Sequence, residues 1–138
     1  MRPGFTIIET TIAVCLIGIL TAIAVPGFAS VIDAIEVREA AMEVETSFSA
    51  ARHLAIARGA QAFVELDTAG RKVIVRIASN TVRTRELASH NVEMKATRTS
   101  MSYSAIGVGY GAANLTVVLS RNRSFDSVVV SRLGRVRR

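Results

Sequence analysis

Arginines crowd the C-terminal end of the chain and are its clearest candidates for binding chemistry. If the chain is extended there, Arg135 and Arg137 point to the same side and Val136 points away. Each guanidinium is a planar fork that binds two phosphate oxygens at once, so the pair suits a phosphate backbone. The other interpretation is a solvated basic tail. Between residues 121 and 138 the basic residues are Arg121, Arg123, Arg132, Arg135, Arg137 and Arg138, and the only acid is Asp126.

Residues for catalysis or metal binding are sparse. His53 and His90 are the only histidines, and Cys15 lies in an apolar run. No serine, histidine and acid fall at the spacing of a known catalytic motif. The carboxylates of the second half are scattered, so neither a paired-acid site nor a calcium loop is indicated. The sequence therefore predicts a protein that is not an enzyme and has no catalytic residue, metal or cofactor.

The charge is unevenly distributed. The chain has 138 residues, 50% of them hydrophobic, and a net charge of +6. Residues 33–67 hold seven acids against three bases, whereas residues 68–138 hold thirteen bases against three acids. This asymmetry indicates an anionic partner for the second half of the chain.

A long apolar run lies near the N-terminus. Residues 10–32 carry no charge, which is enough to span a bilayer. Glu9 stands at the N-terminal edge of this run, where a carboxylate costs a few kcal/mol if it enters the hydrocarbon. A nearby cation would offset this cost, so the sequence predicts a cationic partner for Glu9. Arg2 precedes the run and favours a cytoplasmic N-terminus, with the rest of the chain on the other side of the membrane.

The N-terminal residues resemble those of type IV pilins and type II secretion pseudopilins. The match is Gly4-Phe5-Thr6-Ile7-Ile8-Glu9, then the apolar run and Val25-Pro26-Gly27-Phe28. The resemblance implies that prepilin peptidase cleaves between Gly4 and Phe5, that Phe5 is N-methylated, and that Glu9 pairs with the new amine of a neighbouring subunit. It also implies local melting at Pro26 and Gly27, where proline breaks or softens the helix. An uncleaved signal anchor is the alternative to this interpretation.

The elements that carry these residues follow from periodicity. Apolar residues at helical spacing predict one helix from about Phe5 to Arg58, roughly 80 Å long, which ends at Gly59. Beyond it, short strand-like segments predict an antiparallel sheet packed on the helix. The apolar helix residues are Val37, Ala41, Val44, Phe48, Ala51 and Ala55. The predicted strands are 62–66, 72–77, 92–97, 101–106, 115–119 and 127–133, with a hairpin turn at 67–70.

The predicted fold is therefore α+β and pilin-like, with the long N-terminal helix divided between membrane and periplasm. The predicted parts are a leader at 1–4, a transmembrane helix at 5–29, a periplasmic helix at 30–59, and a sheet domain with a basic tail at 60–138.

Two further stretches resemble the GspH/FimT branch of this superfamily. One is the helix end at residues 51–59, and the other is Gly134-Arg135-Val136-Arg137. The latter matches the GRxR motif that, in FimT-like minor pilins, is associated with DNA binding during natural transformation. The resemblance implies a DNA site formed by Arg132, Gly134, Arg135, Arg137 and Arg138. The lone cysteine and the lack of a calcium loop fit a minor subunit better than a major one.

The predicted function is that of a minor pilin or pseudopilin of a type IV pilus or a type II secretion filament. Its expected location is the bacterial inner membrane, with one span and a periplasmic C-terminal domain, and then the filament. Expected partners are prepilin peptidase, other pilin subunits, the inner membrane and double-stranded DNA without sequence preference. The alternative is a purely structural type II secretion pseudopilin H that binds no DNA.

Overall fold

The computed structural model describes residues 4–110 and 114–138. Most of the predicted leader, Met1 to Pro3, lies outside these ranges. The chain divides into two compact units, of which the first ends at Ile32 and the second comprises Asp33–Arg138. One helix, α1 (Ile7–Arg58), contributes to both units.

Both ends of α1 have hydrogen-bonded caps. Thr6 precedes the first turn, and its contacts with Glu9 are described with the functional site. At the other end, Gly59 has a φ of 57° and donates its N–H to the Ile56 carbonyl at 3.2 Å, while Ala60 donates to Ala55 at 3.2 Å. These two bonds form a Schellman motif, which explains why the helix ends where the sequence predicts.

The first unit contains one stretch of α1 that is long and apolar enough to cross a membrane, and its residues are exposed. The helix runs through Pro26 and Gly27, where the sequence predicts a break or softening. Proline lacks the N–H that would bond to the preceding turn, so this is a weak point of the helix even though it stays helical. Softening there stays a prediction for the assembled filament.

In the second unit, one face of α1 is buried against the sheets. All six predicted apolar helix residues are buried, together with Ala40 and Ser47. The Ser47 hydroxyl donates to the Glu43 carbonyl at 2.7 Å, so its burial leaves no unpaired donor. The predicted apolar stripe is therefore confirmed.

Within residues 4–110 and 114–138, nine strands pair in two antiparallel sheets, where the sequence predicts one sheet. The first has the order β3-β2-β1-β5-β6, and the second has the order β4-β7-β8-β9. The strands of the first sheet are β1 (Ala62–Asp67), β2 (Lys72–Ile77), β3 (Asn80–Glu86), β5 (Ser100–Tyr103) and β6 (Gly109–Tyr110). Those of the second are β4 (Glu93–Ala96), β7 (Leu115–Arg121), β8 (Ser124–Val130) and β9 (Val136–Arg137), and a 3₁₀ turn at Ala88–His90 precedes β4.

Two strand ends differ from the prediction because turns intervene. β5 ends at Tyr103, since Ser104 begins a turn in which its N–H donates to the Val108 carbonyl at 2.9 Å. β8 ends at Val130, since Ser131 and Arg135 form the turn that leads into β9. The predicted last strand at 127–133 therefore covers the end of β8 and the first residues of a tight turn, and β9 is a separate strand after that turn.

Candidate functional site

The N-terminal site is built on the first turn of α1. The Thr6 N–H and hydroxyl both donate to Glu9 Oε2 at 3.2 Å, and the Glu9 N–H donates to Thr6 Oγ1 at 3.3 Å. This reciprocal pattern is a capping box, in which each side chain satisfies a free N–H of the other residue. Glu9 thus has a structural role within its own chain.

The capping box leaves part of the Glu9 carboxylate unengaged. Only Oε2 accepts hydrogen bonds from residues that the structure describes, which leaves Oε1 open to another donor. Gly4 and Phe5 are exposed nearby, and Phe5 is 85% exposed. A carboxylate at the N-terminus of a helix also interacts favourably with the helix dipole.

Arg123 lies exposed in the β7–β8 turn, and the other C-terminal arginines fall into two groups, of which the first makes structural contacts. Arg121 Nε lies 2.9 Å from Asp33 Oδ1, and its guanidinium donates to the His90 carbonyl at 2.8 Å. Arg138 Nε lies 3.3 Å from Asp126 Oδ2. Charge from these two arginines is therefore partly neutralised inside the fold.

The second group is exposed and comprises Arg132, Arg135 and Arg137. Within residues 4–110 and 114–138, no carboxylate lies in ion-pair distance of any of the three. Val136 is half-buried and packs against the core opposite Val130, while Arg137 stands opposite Val129 on β8. The arginines thus extend from a backbone that β8 holds in place.

A tight turn connects β8 to β9 and positions Arg135. The Ser131 N–H donates to the Arg135 carbonyl at 2.8 Å, and the Arg135 N–H donates to Ser131 Oγ at 3.1 Å. On the other side of the turn, the Arg132 N–H donates to Asn114 Oδ1 at 3.2 Å. These bonds fix the backbone that carries two of the exposed arginines.

Gly134, which the sequence assigns to a DNA site, lies buried in this turn. Its φ is 77°, and a Cβ there would lie 2.7 Å from Tyr103 Cε1 and 3.1 Å from the Gly109 nitrogen. Only glycine fits both the backbone conformation and the space. Its position indicates a packing role, in which it seats the turn against β5 and β6.

Tyr103 packs against this turn at Gly134 and is fully buried. Burial raises the pKa of its hydroxyl to about 12, and the charge of Arg52 opposes this shift. Among the described residues, the hydroxyl has no hydrogen-bond partner. The ring therefore contributes packing, while its polar atom is a cost to stability.

Two sets of polar contacts, one around Asp33 and one around His90, join residues far apart in the sequence and have no sequence signature. Asp33 binds Arg121 and accepts a hydrogen bond from Asn122 at 2.8 Å, which ties the β7–β8 hairpin to the start of the second unit. His90 Nδ1 lies 2.8 Å from Glu36 Oε2 and 4.0 Å from Glu39. These three side chains have the chemistry of metal ligands, but the hydrogen bond between His90 and Glu36 accounts for the closest contact.

Comparison with known proteins supports the fold and no finer assignment. No model of a known protein family matches the sequence, and no curated protein matches it. The minor pilin FimU of Pseudomonas aeruginosa PAO1 has a similar structure, with a TM-score of 0.65 and 16% identity over 74% of this chain and 87% of that chain. The structure of FimU from a second crystal form has a TM-score of 0.62 and 13% identity, over 72% of this chain and 90% of that chain.

The minor pseudopilin EpsH of the Vibrio cholerae type 2 secretion system is also similar. Its TM-score is 0.58, with 12% identity over 74% of this chain and 94% of that chain. At these identities the similarity shows the fold alone. The predicted pilin-like architecture, a long N-terminal helix packed on antiparallel strands, is confirmed.

Proposed function

We propose that this chain is a minor pilin or pseudopilin, a structural subunit rather than an enzyme, which joins or primes a filament that spans the periplasm. The pilin fold carries this proposal, because it occurs together with the Gly4-to-Glu9 motif at the start of an exposed apolar helix. Prepilin peptidase cleaves after Gly4, and the new N-terminal Phe5 is N-methylated. The subunit is held in the bacterial inner membrane by the N-terminal part of α1, with its sheets in the periplasm.

Glu9 takes two roles in this proposal. Within its own chain it completes the capping box with Thr6 through Oε2. Towards a neighbouring subunit, Oε1 binds the amine that cleavage creates on Phe5. An ion pair at the membrane boundary offsets the cost of placing either charge near hydrocarbon, which favours assembly over the free subunit.

Two substitutions of Glu9 separate these roles. Glu9→Gln keeps a side chain that completes a capping box but removes the charge, whereas Glu9→Ala removes both. If the charge drives assembly, both variants enter the membrane normally, and both are depleted from sheared filaments. Normal incorporation of Glu9→Gln beside impaired incorporation of Glu9→Ala would show that helix capping is the requirement and would contradict the subunit pairing.

A second function, DNA binding during natural transformation, is favoured by the exposed arginines of the β8–β9 turn. Arg132, Arg135 and Arg137 extend into solvent from a fixed backbone and lack a carboxylate partner within the described residues. Arg138, at the end of the chain, is partly engaged by Asp126 and contributes less. With no base-reading element, binding depends on phosphate contacts and has little sequence preference.

Titration of the full-length chain in detergent with duplex DNA tests this second function. The Arg135→Ala/Arg137→Ala variant is compared with Arg83→Ala/Arg85→Ala on β3, which removes the same charge at the same spacing. Since each phosphate contact contributes about 0.9 to the slope of log K against log salt, the first variant lowers the slope by about 2 and the control does not.

Two results decide against a DNA site at the turn. Equal losses in the two variants would indicate a diffuse basic surface, as expected for a solvated tail. No binding by the unmodified chain would leave the alternative, a purely structural pseudopilin H of a type II secretion system. The assembly proposal is independent of both results, because it depends on the N-terminal residues.

A further inference from the structure

A basic groove lies at the beginning of the second unit. One wall is the exposed side of α1 at Ala34 and Arg38, and the other is formed by the β7–β8 hairpin and the last residue of the chain. Arg123, Phe125 and Arg138 line this second wall. The groove has a volume of about 550 Å³ and is open to solvent on one side.

The groove carries an excess of positive charge. Three guanidiniums line it against one carboxylate, that of Asp126, which is paired with Arg138 at 3.3 Å. Arg38 and Arg123 have no carboxylate within ion-pair distance in the part of the chain that the structure describes. The groove thus presents two unneutralised guanidiniums, each able to bind oxygens of a phosphate.

The acids nearest in sequence to Arg38 do not neutralise it, because they have other partners. Glu36 and Glu39 lie 2.8 Å and 4.0 Å from His90, and Asp33 binds Arg121 at 2.9 Å. Phe125 adds a different feature, since its ring lies in the groove lining and is 78% exposed. An exposed aromatic ring beside free arginines suits the interfacial region of a bilayer, where a surface is apolar and anionic at once.

One wall of the groove lies close in sequence to the apolar run. Asp33 is the first charged residue after the apolar run, and Arg38 follows five residues later on α1, or about 7.5 Å along the helix. Arg121 and Asn122 hold the β7–β8 hairpin against the same Asp33. Arg38 is therefore the first basic residue after the apolar run.

We propose that this groove binds the headgroup phosphate of an anionic phospholipid while the subunit resides in the inner membrane before assembly. Arg38 and Arg123 bind the phosphate, and Phe125 contacts the glycerol and upper acyl region. This inference rests on the proposed membrane anchorage. A lipid is favoured over a free phosphate ion because the open groove encloses an ion poorly, while Phe125 offers a contact that only an amphipathic ligand uses.

Lipid titration of the full-length chain in neutral detergent, followed by native mass spectrometry, tests the proposal. Phosphatidylglycerol and phosphatidylcholine with identical acyl chains serve as the anionic and neutral probes. Each arginine near an anionic surface contributes about fivefold to binding, so Arg38→Gln/Arg123→Gln weakens phosphatidylglycerol binding by about 25-fold. The matched control Arg83→Gln/Arg85→Gln, on β3, leaves binding unchanged. Arg38→Lys/Arg123→Lys keeps the charge and a large part of the binding, which separates loss of charge from misfolding.

Three results would overturn the proposal. They are equal affinity for the two lipids, undiminished phosphatidylglycerol binding by the glutamine variant, and displacement of the lipid by an equal concentration of inorganic phosphate. Alkaline carbonate extraction of cell membranes separates these from failure of the proposed function. A chain that stays in the membrane pellet but shows no lipid preference disproves only the lipid site, whereas a chain that is extracted disproves the anchorage as well.

Discussion

Replacing Gly134 by alanine tests the structural reason for the glycine in the GRxR sequence. Gly134 has a φ of 77°, and a left-handed backbone costs an alanine roughly 1 to 2 kcal/mol. The new Cβ would lie 2.7 Å from the buried Tyr103 ring, and overpacking of this kind costs roughly 1 to 3 kcal/mol. We therefore expect Gly134→Ala to lower the free energy of unfolding by roughly 2 to 5 kcal/mol.

Gly59→Ala is a matched control. Gly59 also has a left-handed φ, 57°, but apart from its own chain neighbours no described residue has an atom within 4 Å of its Cβ position. It therefore bears only the conformational cost, roughly 1 to 2 kcal/mol. The difference between the two variants isolates the contact of the β8–β9 turn with Tyr103.

Thermal unfolding of the full-length chain in detergent, followed by circular dichroism, measures the difference. A domain near 100 residues loses roughly 4 °C in Tm for each kcal/mol. Gly134→Ala should lower Tm by roughly 8 to 20 °C, and Gly59→Ala by roughly 4 to 8 °C. A Gly134→Ala variant as stable as Gly59→Ala would refute the packing role and return Gly134 to the set of residues needed for DNA contact alone.

Three more predictions follow from buried or paired groups. Arg121→Ala loses charged hydrogen bonds to Asp33 and the His90 carbonyl, which should lower the free energy of unfolding by roughly 1.5 to 3 kcal/mol. The control Arg123→Ala, in the next turn, should leave the free energy of unfolding nearly unchanged, and chemical denaturation measures both. The pKa of Tyr103 is raised to about 12, so the unfolded chain releases this proton near pH 10 while the folded chain keeps it. The free energy of unfolding should therefore fall by up to ~3 kcal/mol between pH 10 and 12, as measured by chemical denaturation across this range. Tyr103→Phe should abolish that loss and be at least as stable as the parent at pH 7, and a less stable variant would reveal a partner for the hydroxyl.

The sequence predicts the features that depend on local pattern. The apolar stripe of α1 and its end at Gly59 follow from helical spacing and from a glycine in the left-handed conformation. The hairpin between β1 and β2 follows from alternating residues around a polar turn. The Thr6–Glu9 capping box also has a local signature, a threonine followed three residues later by a glutamate.

Features that depend on long-range pairing were missed. β3 is polar except for Val82, because it is an edge strand of its sheet and is mostly exposed on both faces, so no apolar alternation marks it. β6 has only two residues, too few for any period. The pairing of strands into two sheets depends on contacts between residues far apart in the sequence. The ion pair of Arg121 with Asp33 is another such contact, and no local pattern specifies either.

The most direct test of the central claim is the mass and sequence of the N-terminus in the filament fraction of cells that contain prepilin peptidase. The account predicts a chain that begins at N-methylated Phe5 and is found in sheared filaments, with the full-length form accumulating in the membrane when the peptidase is removed. A chain that keeps Met1 and stays in the membrane in peptidase-containing cells would contradict the account.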